Sequence, residues 1–194
     1  MNITNIFQFI KDKKGYQIPL RYKLIKGLPI EDSNDLVIKG NLVLSGSKIL
    51  KLPDNLTILG DLLLDKSLII KLPENLTVEG GLYINDTNIT HIPESLKVGK
   101  HLDAADTPLR SLPDNLKVNG YLDISKTLIT KLPDNLEVSS LYIDDTDINE
   151  IPNNLRIKRY LWYTNTPLQE KYSEKEIILM IQEKGGTVET ALTS

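Results

Sequence analysis

Aspartate and aromatic residues recur at matching positions in this sequence, about twenty residues apart. Asp103 and Asp123 are separated by twenty residues, and so are Tyr142 and Trp162. Paired carboxylates can bind a cation or a basic protein surface, and can serve as general acid and base. Exposed aromatic rings are typical anchors of protein interfaces. These residues therefore point to binding or acid–base chemistry.

Motifs for catalysis are absent from the sequence. The two histidines, His91 and His101, each stand alone at a variable position, and there is no GxSxG, P-loop, HExxH or CxxC pattern. The chain has no cysteine, which excludes disulfides, thiolate metal sites and a cysteine nucleophile. We therefore predict that the protein is not an enzyme, and that it has no cofactor and no metal site.

Charge and hydropathy limit the kinds of partner. The chain has 23 basic and 26 acidic residues, a balance that argues against a general nucleic-acid binder. No stretch approaches the roughly 18 apolar residues of a membrane span. The N-terminal residues lack the basic start and the long apolar run of a signal peptide. We expect a cytoplasmic protein that binds neither nucleic acid nor membrane.

Proline marks an internal repeat. Six prolines stand in a Leu/Ile-Pro-x-Asn/Ser-Leu phrase; the first five follow one another at intervals of twenty residues and the sixth comes one residue early: Pro53, Pro73, Pro93, Pro113, Pro133 and Pro152. A period of this length predicts a stack of similar coils. The elements that position the aspartates and tyrosines are therefore the coils of a solenoid.

Each repeat unit has two apolar pairs with a period of two, which predicts two short strands. Gly40, Gly60, Gly80 and Gly120 recur between the pairs, which predicts a corner with unusual backbone. The Pro-x-Asn step predicts a turn in which asparagine adopts a left-handed conformation. One position in every unit is serine or threonine. We expect this hydroxyl to be buried and to bond to the backbone of neighbouring coils.

The segment Leu-x-Leu-x-x-Thr/Ser-x-Ile/Leu resembles the core of the leucine-rich repeat, with threonine or serine in place of the usual asparagine. The Leu-Pro-x-x-Leu turn and the twenty-residue period resemble the short bacterial and phage type of this repeat. The resemblance covers about residues 36–168. It implies a mostly β, leucine-rich-repeat-like solenoid of about seven coils with helical caps. The expected domains are an N-terminal cap (1–35), the solenoid (36–168) and a C-terminal helical cap (169–194).

The two ends show cap-like patterns. Residues 3–10 have helical spacing of apolar residues, and residues 16–25 are expected to pair as a strand with the first coil. Ser173 and Glu176 form a capping-box pattern that predicts a helix, which Gly185-Gly186 ends. Residues 187–189 are expected to return as an edge strand.

The outward face of the Leu-x-Leu strands is the candidate binding surface, because the resemblance makes it the concave face of the solenoid. Equal spacing places Asp103 directly opposite Asp123 on the next strand, where like charges repel. A basic partner or a cation would relieve this repulsion. The predicted partner-binding residues are Tyr83, His101, Asp103, Tyr121, Asp123, Tyr142, Asp144, Tyr160 and Trp162.

Three functions stay open at this point. The first is a non-catalytic protein-binding module, an inhibitor or adaptor whose partner has a basic or mixed-charge surface. By its resemblance it would suit a phage or bacterial protein that sequesters a host factor in the host cytoplasm. The second is a structural, self-assembling solenoid. The third is an enzyme, or a binder of a small ligand or cation, around His101, Asp103 and Asp123. The sequence leaves the oligomeric state undetermined.

Overall fold

Short strands, turns and a few helices make up the chain. The computed structural model describes residues 20–26, 28, 30 and 36–193. Within these residues the helices are α1 (Leu20–Lys26), α2 (Pro167–Lys171) and α3 (Glu174–Glu183). The strands are β1 (Val37–Ile38), β2 (Leu42–Val43), β3 (Thr57–Ile58), β4 (Leu62–Leu63), β5 (Thr77–Val78), β6 (Leu82–Tyr83), β7 (Lys97–Val98), β8 (Leu102–Asp103), β9 (Tyr121–Asp123), β10 (Glu137–Val138), β11 (Ser140–Tyr142), β12 (Arg156–Ile157), β13 (Tyr160–Trp162) and β14 (Thr190–Leu192).

One strand from each repeat unit joins a long parallel sheet. Among the described residues its order is β14-β13-β11-β9-β8-β6-β4-β2, so the seven units supply seven strands and the C-terminal segment adds an eighth. Equivalent residues of neighbouring units pair, for example Leu102 with Leu122 and Leu141 with Leu161. The predicted solenoid of about seven coils is therefore confirmed.

The opposite side of the coils forms a second sheet, which is interrupted. β1, β3, β5 and β7 pair in parallel, and β10 pairs with β12. Between these groups Val118 makes an isolated bridge with Val98. The backbone N–H of Lys97 donates to the carbonyl of Leu76 at 3.0 Å. In the next coil, the backbone N–H of Lys117 makes no equivalent bond within the described residues. A groove of about 360 Å³ opens beside Lys117.

The core is a column of apolar side chains between the two sheets. The alternating inward positions are buried in every coil, from Leu42 and Leu44 in the first to Leu161 and Tyr163 in the last. Ala104 is the smallest side chain at these positions and Tyr163 the largest. Removal of this column from water is the main stabilising term, and each coil shares it with its neighbours.

The recurring hydroxyl bonds within its own coil. In five coils the threonine Oγ1 donates to the carbonyl oxygen three residues earlier, at 2.6 or 2.7 Å. The expectation of partners in neighbouring coils is therefore wrong for these threonines. In the second coil the backbone N–H of Ser67 makes the equivalent bond to Leu64 at 3.0 Å, and the buried Ser67 Oγ has no hydrogen-bond partner.

Left-handed backbone occurs at two places in most coils. The first is the predicted turn asparagine, at Asn55, Asn75, Asn135 and Asn154, with φ between 53° and 62°. Ser95 and Asn115, in the middle coils, do not adopt it. The second place follows each of the seven repeat strands of the long sheet and was not predicted: Gly46, Lys66, Asp86, Asp106, Lys126, Asp145 and Asn165.

The recurring glycine mainly provides space. The predicted unusual backbone is present at Gly40, where φ is 76°, but not at Gly60, Gly80 or Gly120. A Cβ on Gly60 would lie 2.6 Å from the carbonyl carbon of Gly40, and one on Gly120 would lie 2.2 Å from Nδ1 of His101. At these corners the coils approach too closely for any side chain.

The C-terminal segment caps the last coil. α3 begins with the predicted capping box, in which Ser173 N–H donates to the Glu176 carboxylate at 2.8 Å. Ile177 and Ile181 are completely buried. The returning strand β14 lies at residues 190–192, and within the predicted segment 187–189 Thr187 makes an isolated parallel bridge with Arg156.

The N-terminal segment differs from its prediction. The prediction of a strand over residues 16–25 is wrong for residues 20–25, which lie in the helix α1. Leu20 and Leu24 are one helical turn apart, and Leu24 is buried in the core. The helix expected over residues 3–10 lies outside the described residues.

Candidate functional site

The outward side of the long sheet, which we call the strand face, carries three rows of side chains. They alternate with the buried residues of each strand, as the strand period requires. The first row is Asn41, Asp61, Gly81, His101, Tyr121, Ser140 and Tyr160. The second is Val43, Leu63, Tyr83, Asp103, Asp123, Tyr142 and Trp162. The third is Ser45, Asp65, Asn85, Ala105, Ser125, Asp144 and Thr164. All nine predicted partner-binding residues lie in these rows.

Four of these residues form an aromatic stack that crosses the C-terminal half of the strand face. His101 and Tyr121 stack with ring centroids 4.4 Å apart. Tyr121 meets Tyr142 edge to face at 6.1 Å. Tyr142 and Trp162 are parallel at 6.5 Å. The aromatic stack (His101, Tyr121, Tyr142 and Trp162) therefore continues through four coils.

Backbone contacts fix the first ring of the aromatic stack. Tyr121 N–H donates to Nδ1 of His101 at 3.2 Å, so the proton of the neutral imidazole lies on Nε2. The missing side chain at Gly120 leaves room for the imidazole. Glycine at this corner is thus part of the site, a role that the sequence pattern alone did not indicate.

Tyr83 extends the aromatic surface toward the N-terminal coils. Its ring lies over Gly81, where an added Cβ would be 2.8 Å from Cε2 of the ring. Burial first, and then the nearby Tyr83 and Asp103, raise the pKa of Tyr121, so its phenol stays neutral.

Asp103 and Asp123, the carboxylate pair, lie between Tyr83 and Tyr142 in the second row. They are direct partners in the β8–β9 register, as predicted. Each Oδ1 accepts a backbone N–H from two residues later: Ala105 at 3.2 Å and Ser125 at 2.9 Å. Both carboxylates are therefore held toward the third row, and each has a second oxygen for a ligand.

The carboxylate pair is electrostatically unfavourable. Burial raises the pKa of Asp103, the hydrogen bond from Ala105 opposes this shift, and the negative charges of Asp123, Asp86 and Asp65 add to it, with a net pKa of about 6. The ion pairs of the described residues lie elsewhere, at Lys71–Glu74, Lys131–Glu150 and Lys158–Glu137. A cation from outside would stabilise the pair.

Two predicted residues have other contacts. Asp144 accepts the N–H of Thr164 from the next coil at 2.7 Å, which makes it a link between coils. Tyr160 is 36% exposed, and the guanidinium of Arg159 lies 5.3 Å from its ring centroid. Tyr160 is therefore beside the aromatic stack, in a different row from Trp162.

Eight aspartates on or beside the strand face, which we call the acidic strip, have different environments in the structure: Asp61, Asp65, Asp86, Asp103, Asp106, Asp123, Asp144 and Asp145. Asp86, Asp106 and Asp145 occupy left-handed turns at the rim, where they are exposed. Asp61 accepts the N–H of Gly81 at 2.8 Å and so links neighbouring coils. The carboxylate pair is the part of the strip that lies among the aromatic rings.

Other features of the molecule lie away from the strand face. A cavity of about 800 Å³ separates α1 from the first coils. Within the described residues, no group of three histidine, cysteine, aspartate or glutamate side chains is placed to hold a metal ion. None of the helices that the structure describes is long and apolar enough to span a membrane.

The stacked parallel coils, each with one Leu-x-Leu strand and a shared apolar column, define a leucine-rich-repeat-like solenoid. No family model matches the sequence, and no curated protein matches it. A solved structure described as a Shigella effector LRR domain is similar over 99% of each chain, with 18% identity and a TM-score of 0.45. This likeness concerns the fold and carries no argument about function.

Proposed function

We propose that this chain is a non-catalytic binding module that holds a protein partner against its strand face. The observation that supports the proposal best is the aromatic stack beside the carboxylate pair. Rings that are already stacked lose little side-chain freedom on binding, and aromatic residues are enriched at interface centres. Such a surface is more typical of a binding interface than of a coil face with a purely structural role.

The proposed partner has a basic or mixed-charge surface. The charged residues within the three rows of the strand face are Asp61, Asp65, Asp103, Asp123 and Asp144. Lys66 and Lys126 occupy exposed turns at the rim. Charge complementarity therefore favours a positively charged partner surface, and it accelerates the encounter.

Binding without catalysis is proposed because His101 makes no hydrogen bond to a serine or threonine hydroxyl of the described residues, and the Ser45 hydroxyl that donates to Asp65 belongs to an exposed pair in the first two coils. The Nδ1 atom of His101 is occupied by a backbone N–H, and Asp103 and Asp123 are engaged by backbone N–H groups of their own strands. Such a module acts by occupying its partner, as an inhibitor or adaptor. A phage or bacterial protein that sequesters a host factor in the host cytoplasm is the setting we propose.

Affinity capture from host-cell lysate tests this function. The wild-type protein is compared with a Tyr142→Ala/Trp162→Ala variant and with a matched control, Leu59→Ala/Leu68→Ala. The control removes two exposed apolar side chains outside the strand face. Circular dichroism first establishes that all three proteins are folded. We expect a partner that the wild type and the control retain and that the strand-face variant loses.

Two results would contradict the proposal. Retention of the same partner by the strand-face variant would place the binding surface elsewhere. Concentration-dependent oligomers without any captured partner, measured by sedimentation, would favour the structural, self-assembling role.

A further inference from the structure

We propose that the strand face recognises an arginine side chain of its partner, whose guanidinium lies on the carboxylate pair between Tyr83 and Tyr142. This inference rests on the proposed function and specifies the chemistry of the partner. We call the place where the guanidinium would lie the slot. Asp103 and Asp123 form its floor, and Tyr83 and Tyr142 are on either side of them in the second row.

The floor of the slot has the geometry that a guanidinium needs. Asp103 and Asp123 are register partners on adjacent strands, which are about 4.8 Å apart in a sheet. Both side chains are oriented by backbone N–H groups, so their positions are set before a ligand arrives. A planar guanidinium has five N–H donors in a fixed fork and can bridge two carboxylates, whereas an ammonium acts as a point charge.

Aromatic residues flank the carboxylate pair in the register of the sheet. Tyr83 precedes the carboxylate pair in the second row and Tyr142 follows it, while Tyr121 lies alongside in the first row. Guanidinium groups stack on aromatic faces, and this attraction increases when the site is partly desolvated. The edge-to-face contact of Tyr121 with Tyr142 holds two of these rings in place.

The open side of the slot is the third row. Small side chains occupy it beside the carboxylate pair, at Ala105 and Ser125. The aliphatic stem of an arginine can therefore approach from this side without displacing a bulky group. The charge of the pair has no ion-pair partner among the described residues, and the raised pKa of Asp103 has burial as its first cause. Both observations favour a cationic ligand.

Peptide titration followed by NMR tests the inference. The probes are acetyl-Gly-Gly-Arg-Gly-Gly-amide and two analogues in which lysine or citrulline replaces arginine. Citrulline has nearly the shape of arginine without its charge. We expect the arginine peptide to shift the backbone amide signals of Ala105 and Ser125, with at least about fivefold weaker binding of lysine and no measurable binding of citrulline.

Charge-matched variants distinguish specific binding in the slot from general attraction to the negative charge of the strand face. Asp103→Asn/Asp123→Asn keeps the acceptor oxygens for the backbone and should weaken arginine binding at least about tenfold. Asp86→Asn/Asp106→Asn removes the same charge from left-handed turns that asparagine adopts readily, and should change the affinity less than about twofold.

Several results would overturn the inference. These are equal affinity for lysine and arginine, equal losses in the two double variants, or no shift at Ala105 and Ser125. A captured partner that depends on Trp162 would in each case leave the proposed function intact. Arginine shifts without any captured partner would support the slot and contradict the proposed function.

Discussion

Tyr121 donates its backbone N–H to Nδ1 of His101 on the preceding coil at 3.2 Å, and the two rings stack 4.4 Å apart. This contact begins the aromatic stack, and it forms beside a corner where Gly120 leaves no side chain in the way. The packing of neighbouring coils and the geometry of the binding surface are therefore linked at one residue.

Asparagine substitution at two equivalent glycines should have different effects. Gly40 has a φ of 76° and open space around its Cβ position, so Gly40→Asn should lower the free energy of unfolding by less than about 1 kcal/mol. Gly120→Asn must displace His101 and should lower it by about 2–3 kcal/mol. Urea denaturation measures both. Similar losses at the two positions would contradict the requirement for space at residue 120.

Replacement of Asp103 should stabilise the protein in a pH-dependent way. The folded state raises the pKa of Asp103 from 3.8 to about 6, so its contribution to stability is present below the unfolded pKa and is lost as pH rises through about 6. Solvent screening reduces the effect of this half-buried group. Asp103→Asn should therefore raise the free energy of unfolding by about 1 kcal/mol near about pH 8 and hardly change it near about pH 4.

The control for this experiment is Asp106→Asn, which removes an exposed carboxylate from a left-handed turn. Its free energy of unfolding should follow the wild type across the same pH range. A lower stability of Asp103→Asn at high pH would contradict the assignment, because it would mean that the ionised carboxylate stabilises the fold.

The buried hydroxyls should differ between coils. Thr127 donates to the carbonyl of Ile124 at 2.7 Å, and Thr127→Val leaves that buried acceptor without its partner. We expect a loss of about 1–2 kcal/mol. Ser67→Ala removes a buried oxygen that has no partner, so this variant should be as stable as the wild type or up to about 1 kcal/mol more stable. Equal destabilisation in thermal or urea unfolding would contradict this difference.

Trp162 offers a fluorescence test of the aromatic stack, because it is the chain's only tryptophan. Tyr142→Ala removes its stacked neighbour and should shift its emission to longer wavelength, with a loss of about 0.5–1.5 kcal/mol in the free energy of unfolding. Tyr83→Ala is the control, since Tyr83 lies four coils away and should leave the emission unchanged. A shift in the control would indicate a general loss of structure.

The register of the coils could be predicted from the sequence because units of nearly equal length repeat. Asp103 and Asp123 occupy the same place in two such units, and parallel pairing brings them together. The orientation of the rings could not be predicted, because it depends on side-chain torsions and on the space at Gly120. The nine site residues share one face, while their role in binding stays a prediction.

Local sequence was a poorer guide where tertiary contacts decide the conformation. Lys66 and Lys126 are left-handed, although lysine seldom adopts this backbone. The residues at the other equivalent positions, Gly46, Asp86, Asp106, Asp145 and Asn165, are of types that adopt it more readily. The sequence pattern predicts a strand over residues 16–25. Residues 20–26 instead form the helix α1, in which Leu24 is buried in the core.

The interruption of the second sheet at Lys117 gives the solenoid a mechanical asymmetry. On that side β7 and β10 are not joined, whereas β8, β9 and β11 remain continuous on the other. We expect the Lys117 amide to exchange hydrogen faster than the Lys97 amide, and equal rates would argue against this weakness. The carboxylate pair and Tyr142 lie in the continuous sheet at this point, so we expect local opening at Lys117 to leave their spacing unchanged.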